Sequence, residues 1–186
     1  MKRIVITWIL GVLIFCGSLT AYASENSISE IKPTIAILFT DANTKNIRPS
    51  TQKATKGKIL GDIVEKFSPK YNIFIDDKRI EEIQAAGIED LTTVERGDIM
   101  SFYKNDNIDF IVVINFLPTQ NISALFSMTT ITSIQLKIID FKNNKYLYSG
   151  KHNYTTKFAR MDGVYKELHK YIDAQMIMIF PLDNNI

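Results

Sequence analysis

The sequence predicts an α/β domain with α+β character. It reads as a single two-layer unit in which helices pack a mixed sheet of about five strands and a long C-terminal helix closes the fold. Three observations predict it. The runs Ile35-Ala36-Ile37-Leu38-Phe39 and Phe110-Ile111-Val112-Val113-Ile114-Asn115-Phe116 are short, rich in β-branched residues and almost continuously apolar. Such runs suit strands buried on both faces. Between them, apolar residues recur at helical spacing, and after them Ser133 to Phe141 alternates and turns into a hairpin.

Along the chain, residues 24–32 are a polar lead-in, and Pro33 introduces the first strand. The polar stretch 41–53, with Asp41, Asn43, Asn46 and Arg48-Pro49-Ser50, reads as a loop. Ile59, Leu60, Ile63, Val64 and Phe67 then form one face of a helix. Tyr71 to Asp76 reads as a second strand of imperfect alternation, and Asp77 is placed to cap a helix containing Ile80, Ile83 and Ala86 that ends at Gly87. Thr92 and Glu95 have capping-box spacing ahead of Ile99, Phe102 and Tyr103. After the central strand, Ile134, Leu136 and Ile138 share one face, with Gln135 and Lys137 on the other. A turn near Lys142-Asn143-Asn144-Lys145 leads to Tyr146-Leu147-Tyr148-Ser149. Val164, Leu168, Tyr171, Ile172, Met176 and Ile179 mark the last helix, stopped before Pro181.

Ahead of this domain, residues 1–23 have the three regions of a secretory signal peptide. Lys2 and Arg3 are the basic start, Ile4 to Phe15 the apolar stretch, and Ala21-Tyr22-Ala23 the small-residue cleavage pattern. Cleavage after Ala23 makes Ser24 the first residue of an exported chain, periplasmic or extracellular, with residues 33–186 as its single domain. Two rival readings exist. A retained anchor would have to tolerate Cys16, Gly17 and Ser18 in the bilayer, and a lipid-modified Cys16 is opposed by the bulky Phe15 before it. Removing Lys2 and Arg3 from the 22 basic residues leaves them balanced against 20 acidic ones. That balance argues against a nucleic-acid partner. The only cysteine leaves with the signal, so a hydrophobic core rather than disulfides must hold the domain.

No pattern in the sequence calls for a cofactor. His152 and His169 have no second histidine or cysteine at ligand spacing, so they read as rim histidines. Asp76-Asp77 and Glu81-Glu82 are the one acidic group that could imitate a two-carboxylate acid/base site, which would make the chain a small exported hydrolase or carbohydrate-active enzyme. The blander account gives them a strand end and the positive first turns of a helix. Gly57-Lys58 fails as a phosphate loop, because Gln52 and Ile59 stand where glycine and a hydroxyl residue are required. A weaker anion or small-molecule site remains conceivable around Ser50, Thr51 and Lys56, where a helix follows a buried strand. Arg96-Gly97-Asp98 matches an adhesion tripeptide, yet it falls where a helix should begin. Residues 118–132 are the remaining candidate. Ile122, Leu125, Phe126 and Met128 lie there among polar residues, either continuing a long core strand or forming a semi-apolar segment for a protein partner or a membrane surface.

Ile108-Asp109 leading into the central strand, Leu136 to Phe141, and Tyr146-Leu147-Tyr148-Ser149-Gly150-Lys151 together give the chain a likeness. It resembles the cell-envelope α/β domain of the CsgG, LpoB and TolB amino-terminal-domain group. Ile35 to Phe39 and the final helix fit the same element order. Asn115-Phe116 stands where a glycine is often found, and nothing resembles membrane-spanning hairpins. The resemblance implies a non-enzymatic accessory domain that docks another envelope protein, and it transfers no binding residue.

Cleavage after Ala23 removes Trp8 and Cys16 together. The exported chain should therefore show an intact mass beginning at Ser24, no tryptophan emission and no titratable thiol; a thiol on the purified protein would mean a retained N-terminus.

Overall fold

A computed structural model of the chain describes residues 31–41, 49–88, 90–117, 120–124, 127–157 and 161–182. The chain divides into two units, Met1–Ile31 and Lys32–Ile186, and every strand and helix described lies in the second. The signal-peptide residues Ala21, Ala23 and Ser24 lie outside the described residues.

The strands are β1 (Thr34–Thr40), β2 (Asn72–Ile75), β3 (Phe110–Phe116), β4 (Gln120–Ala124), β5 (Ser127–Asp140) and β6 (Lys145–Lys157). The helices are α1 (Pro49–Phe67), α2 (Asp77–Ala85), α3 (Arg96–Ser101) and α4 (Met161–Ile179). β1 lies between β2 and β3 and is parallel to both, whereas β3, β5, β4 and β6 are joined by antiparallel pairings. The class is thus α/β with a mixed sheet and a C-terminal helix. β4 raises the strand number to six. It and β3 lie along the same edge of β5, β3 against Ile134–Asp140 and β4 against Ser127–Ile131.

Alternation along β1 and β3 sorts the core into two clusters. Ile35, Ile37, Phe39, Val112, Ile114 and Phe116 face α1 and α4, which answer with Ile59, Leu60, Ile63 and Phe67, and with Leu168, Ile172 and Met176. Ala36, Leu38, Ile111 and Val113 face the other way, onto Ile83 of α2, Ile99 of α3, Leu91, Val94 and Tyr103. Both central strands are therefore dry on both faces, as their unbroken apolar runs require.

Local chemistry departs from the sequence reading in three places. The helix-capping residue is Asp76 rather than Asp77: its carboxylate accepts from the Arg79 amide at 3.0 Å. No capping box forms at Thr92, because Thr92 turns to Asp90, with its amide at 2.8 Å and its hydroxyl at 2.6 Å, and Glu95 stands at the helix start without a side-chain cap. The stretch expected as loop already contains the first turn of α1, where Pro49 suits a position whose amide has no partner in the helix.

The hairpin between β5 and β6 is set by Asp140, which accepts from the Asn143 amide at 2.9 Å and from its side chain at 2.7 Å, while Asn144 takes the left-handed conformation (φ 50°). Asp109, just ahead of β3, ties three strands together. Its carboxylate accepts from the Thr34 amide at 2.7 Å and pairs with Lys142, and its backbone bonds Thr34 and Phe141. Burial pushes this carboxyl up, but Lys142 and the Thr34 amide outweigh burial and hold it below its ordinary value of 3.8. A depressed carboxyl stabilises the fold at neutral pH and stops doing so as pH falls through the folded value. Asp109→Asn should cost about 1–2 kcal/mol in urea unfolding at pH 7, and the gap to wild type should close progressively below pH 3.8.

Candidate functional site

Two stretches of the sheet present apolar side chains together with backbone that has no partner strand among the described residues. The first is β2, which pairs only with β1 among the described residues. The amides of Asn72 and Asp76 donate to Pro33 and Ile37 at 2.9 and 3.0 Å. In a parallel ladder this phase turns the even residues inward and leaves the N–H and C=O groups of Ile73 and Ile75 on the open side. Phe74 is 49% exposed and Ile75 is 37% exposed, one on each face of the strand. The far edge, β6, is different: it carries Lys145, Lys151 and Lys157, the usual guard against edge pairing.

The second is the β4–β5 hairpin. Residues 118–132 largely continue strands, with Gln120–Ala124 registered against Ile131–Ser127. Among the described side chains of 120–132, Thr132 is buried and Ser123 is exposed. Ile122 stands 55% exposed on β4, and Met128 lies in β5 opposite Ser123. Leu125 and Phe126 lie outside the described residues.

Three of the four acidic candidates, Asp76, Asp77 and Glu82, are tied to a cation. Asp76 is 4% exposed and lies 3.5 Å from Arg79 Nε, whereas Asp77 pairs with Lys56 at 2.8 Å. Arg79 also donates to Glu82 at 2.8 Å and to Asp106 at 2.5 Å, and its guanidinium lies 4.7 Å from the Tyr103 ring centre. Burial, followed by the neighbouring Asp76 carboxylate, drives the Tyr103 hydroxyl far above its usual range. The anion candidates separate in the same way. Ser50 is exposed in the first turn of α1, the side chain of Thr51 lies outside the described residues, and Lys56 is bound to Asp77. His152 stacks on Tyr171 with ring centres 4.5 Å apart, and His169 lies 3.3 Å from Asp62. Among the described residues no group of three His, Cys, Asp or Glu is placed to hold a metal, and no helix is long and apolar enough to cross a membrane. The Arg96-Gly97-Asp98 tripeptide opens α3, beside a shallow depression of about 240 Å³ lined by Met100, Lys104 and Phe141.

One buried cation escapes the sequence reading. Lys137 is 5% exposed, and its ammonium donates to the carbonyls of Leu91, Thr92 and Val94 at 3.1, 3.0 and 2.8 Å. Gln135 Nε2 also reaches Thr92, at 3.2 Å, so two strand side chains clamp the 91–94 segment onto the sheet. Further along this face Thr40 donates to Asn115 Oδ1 at 2.5 Å, linking the carboxyl ends of β1 and β3.

No protein-family profile matches the chain, and no curated protein matches it. Solved structures do align with it. Lipoprotein GNA1162 from Neisseria meningitidis is 14% identical with a TM-score of 0.47, over 77% of this chain and 97% of its own. The LpoB C-terminal domain from Salmonella enterica is 9% identical with a TM-score of 0.40, over 66% and 82%. TolB from Acinetobacter baumannii is 12% identical with a TM-score of 0.38, over 78% of this chain and 28% of TolB. LpoB and TolB are thus among the aligned structures.

Lys137 makes the 91–94 clamp testable. Burial lowers its pKa and Asp90 opposes the shift, so the net direction is down from 10.5. A lysine whose folded pKa is depressed costs the fold stability until pH passes that value, and the cost fades as pH climbs toward 10.5. Lys137→Met takes the side-chain donor from the Leu91 and Val94 carbonyls and leaves Thr92 with Gln135 alone; it should cost about 2–3 kcal/mol, opening 90–95 to limited proteolysis. The stability gap between wild type and variant should widen as pH rises from 7 toward 10.5.

Proposed function

We propose that this chain is an exported accessory domain of the cell envelope that acts by binding another envelope protein through the β4–β5 hairpin. The observation that carries the reading is Ile122, a large aliphatic side chain left 55% exposed on β4. An apolar side chain held in water on a strand has a use in a contact. The backbone of β4 offers a partner strand hydrogen bonds as well, the usual mode of strand addition to a sheet.

Supporting it are the signal-peptide pattern of residues 1–23, the charge balance of the exported chain and the likeness of its sequence elements to the CsgG, LpoB and TolB group. The hydrolase alternative has less support, since Asp76 and Asp77 are committed to different cations. The anion-binding alternative is weakened likewise by the Lys56–Asp77 pair.

The test is capture from an envelope extract by the tagged exported chain. Wild type should retain a discrete envelope protein, and Ile122→Asp should weaken retention about tenfold, equivalent to ~1.4 kcal/mol. Retention of no protein, or equal retention by Ile122→Asp, overturns the reading. Capture by anionic lipid vesicles in place of a protein would move the contact to a membrane surface and overturn it equally.

A further inference from the structure

We propose that residues 90–95 form a strap that lifts from the sheet as a unit while the rest of the domain stays folded, uncovering Lys137 and the polar side chains beside it. This goes beyond the hairpin contact and does not depend on it. The reason lies in how the strap is held. Among the described residues, no backbone bond joins 90–95 to a strand. Its anchors are side chains: Lys137 reaches the carbonyls of Leu91, Thr92 and Val94, and Gln135 reaches Thr92. Leu91 and Val94 are buried against the sheet, while Asp90, Thr93 and Glu95 stand exposed. A segment with few buried apolar residues and no ladder opens at a lower free energy than the strands it covers.

What the strap meets is chemically unlike the rest of that face. Ala36, Leu38, Ile111 and Val113 are apolar, whereas Gln135 and Lys137 are not. Asn115 is the register partner of Gln135, so the two amide side chains share a face. Asn115 Nδ2 and Gln135 Oε1 are both buried, and neither has a hydrogen-bond partner among the described residues. A layer closed for good pairs its buried polar atoms, because each one left unpaired costs free energy. Here a donor and an acceptor stay unpaired on neighbouring strands, where a lifted strap admits water. The Lys137 ammonium adds to this: closure takes it out of water, and the burial holds its pKa below 10.5. All three groups are better hydrated with the strap lifted. The side-chain bonds to 91–94 and the burial of Leu91 and Val94 oppose lifting.

The ends of the segment suit a hinge. α2 is followed by Gly87, which takes the left-handed conformation (φ 88°) that favours glycine. α3 starts after Glu95, whose side chain caps nothing. Lifting changes the backbone near these two points and leaves α2 and α3 packed through Ile83 and Ile99.

The experiment is acylation of the purified exported chain by an N-hydroxysuccinimide ester, read by peptide mass spectrometry over a low-urea series. Exposed Lys151 gives the rate of an open amine, and amide hydrogen exchange at Val112 and Val113 of β3 reports global unfolding. Lys137 should acylate at least about tenfold faster than global unfolding allows, at a rate nearly independent of low urea. Ile63→Val, buried against the opposite face of the sheet, should speed exchange at Val112 and Val113 about tenfold and leave Lys137 acylation unchanged. Chymotrypsin should cut after Leu91 under the same conditions. A Lys137 rate that tracks Val112 and Val113, in urea or in Ile63→Val, overturns the proposal. So does acylation of Lys137 while Leu91 stays uncut, since the lysine then moves without the strap. No envelope partner is present in this experiment, so its failure is separate from a failure of the hairpin contact.

Discussion

β1 and β3 lie side by side and parallel, and neither has a face that can meet water. Ile35, Ile37, Val112 and Ile114 point one way while Ala36, Leu38, Ile111 and Val113 point the other, each essentially unexposed. A parallel pair of this kind is stable only if both faces are covered, which dictates where the rest of the chain must go. α1 and α4 close one side, and α2, α3 and the 90–94 segment close the other. The sheet can open toward solvent only at its margins, where no such demand applies. Apolar side chains of the sheet are accordingly exposed at its margins, as at Phe74, Ile75 and Ile122.

Covering the second face raises a problem of its own, because α2 and α3 are short and the segment between them is irregular. An irregular segment brings unpaired carbonyls onto a dry sheet, where each costs free energy unless a donor reaches it. Lys137 supplies that donor three times over for 91–94. Arg79 acts similarly at the other end of this layer, joining Asp76, Glu82 and Asp106 while lying on the Tyr103 ring. Lys137 and Asp76 are retained as buried charges because partners surround them, and removing a single partner costs more than the pair contributes.

How much of this can be read from the residues differs with the kind of signal. The runs 35–39 and 110–116 announce central strands because burial on both faces leaves no alternation to decode. The final helix announces itself through apolar spacing and Pro181. Lys137 falls with the polar face of its strand because alternation reports which side a residue faces and says nothing about what lies over that side. Its cage comes from residues about forty-five positions away, beyond the reach of any local pattern. The Asp76 cap differs from the expected Asp77 by one residue for a local reason: both aspartates are good caps, and the strand end decides between them. The exposure of Phe74 is hidden differently. The imperfect alternation of Tyr71 to Asp76 is visible in the sequence, but reading it as an edge requires knowing that β1, and not β2, occupies the middle of the parallel trio.

The two edges bear on function when they are compared. A sheet that is open at both ends is exposed to indiscriminate pairing, and the ordinary remedy is charge, brevity or a bulge. β6 is thirteen residues long and carries three lysines; β2 is four residues long and carries none. Brevity alone protects β2 from extended aggregation, since four residues offer too few bonds to recruit an arbitrary strand. The β4–β5 hairpin instead offers Ile122, exposed beside Ser123 on β4. A contact made there must draw its specificity from the other molecule.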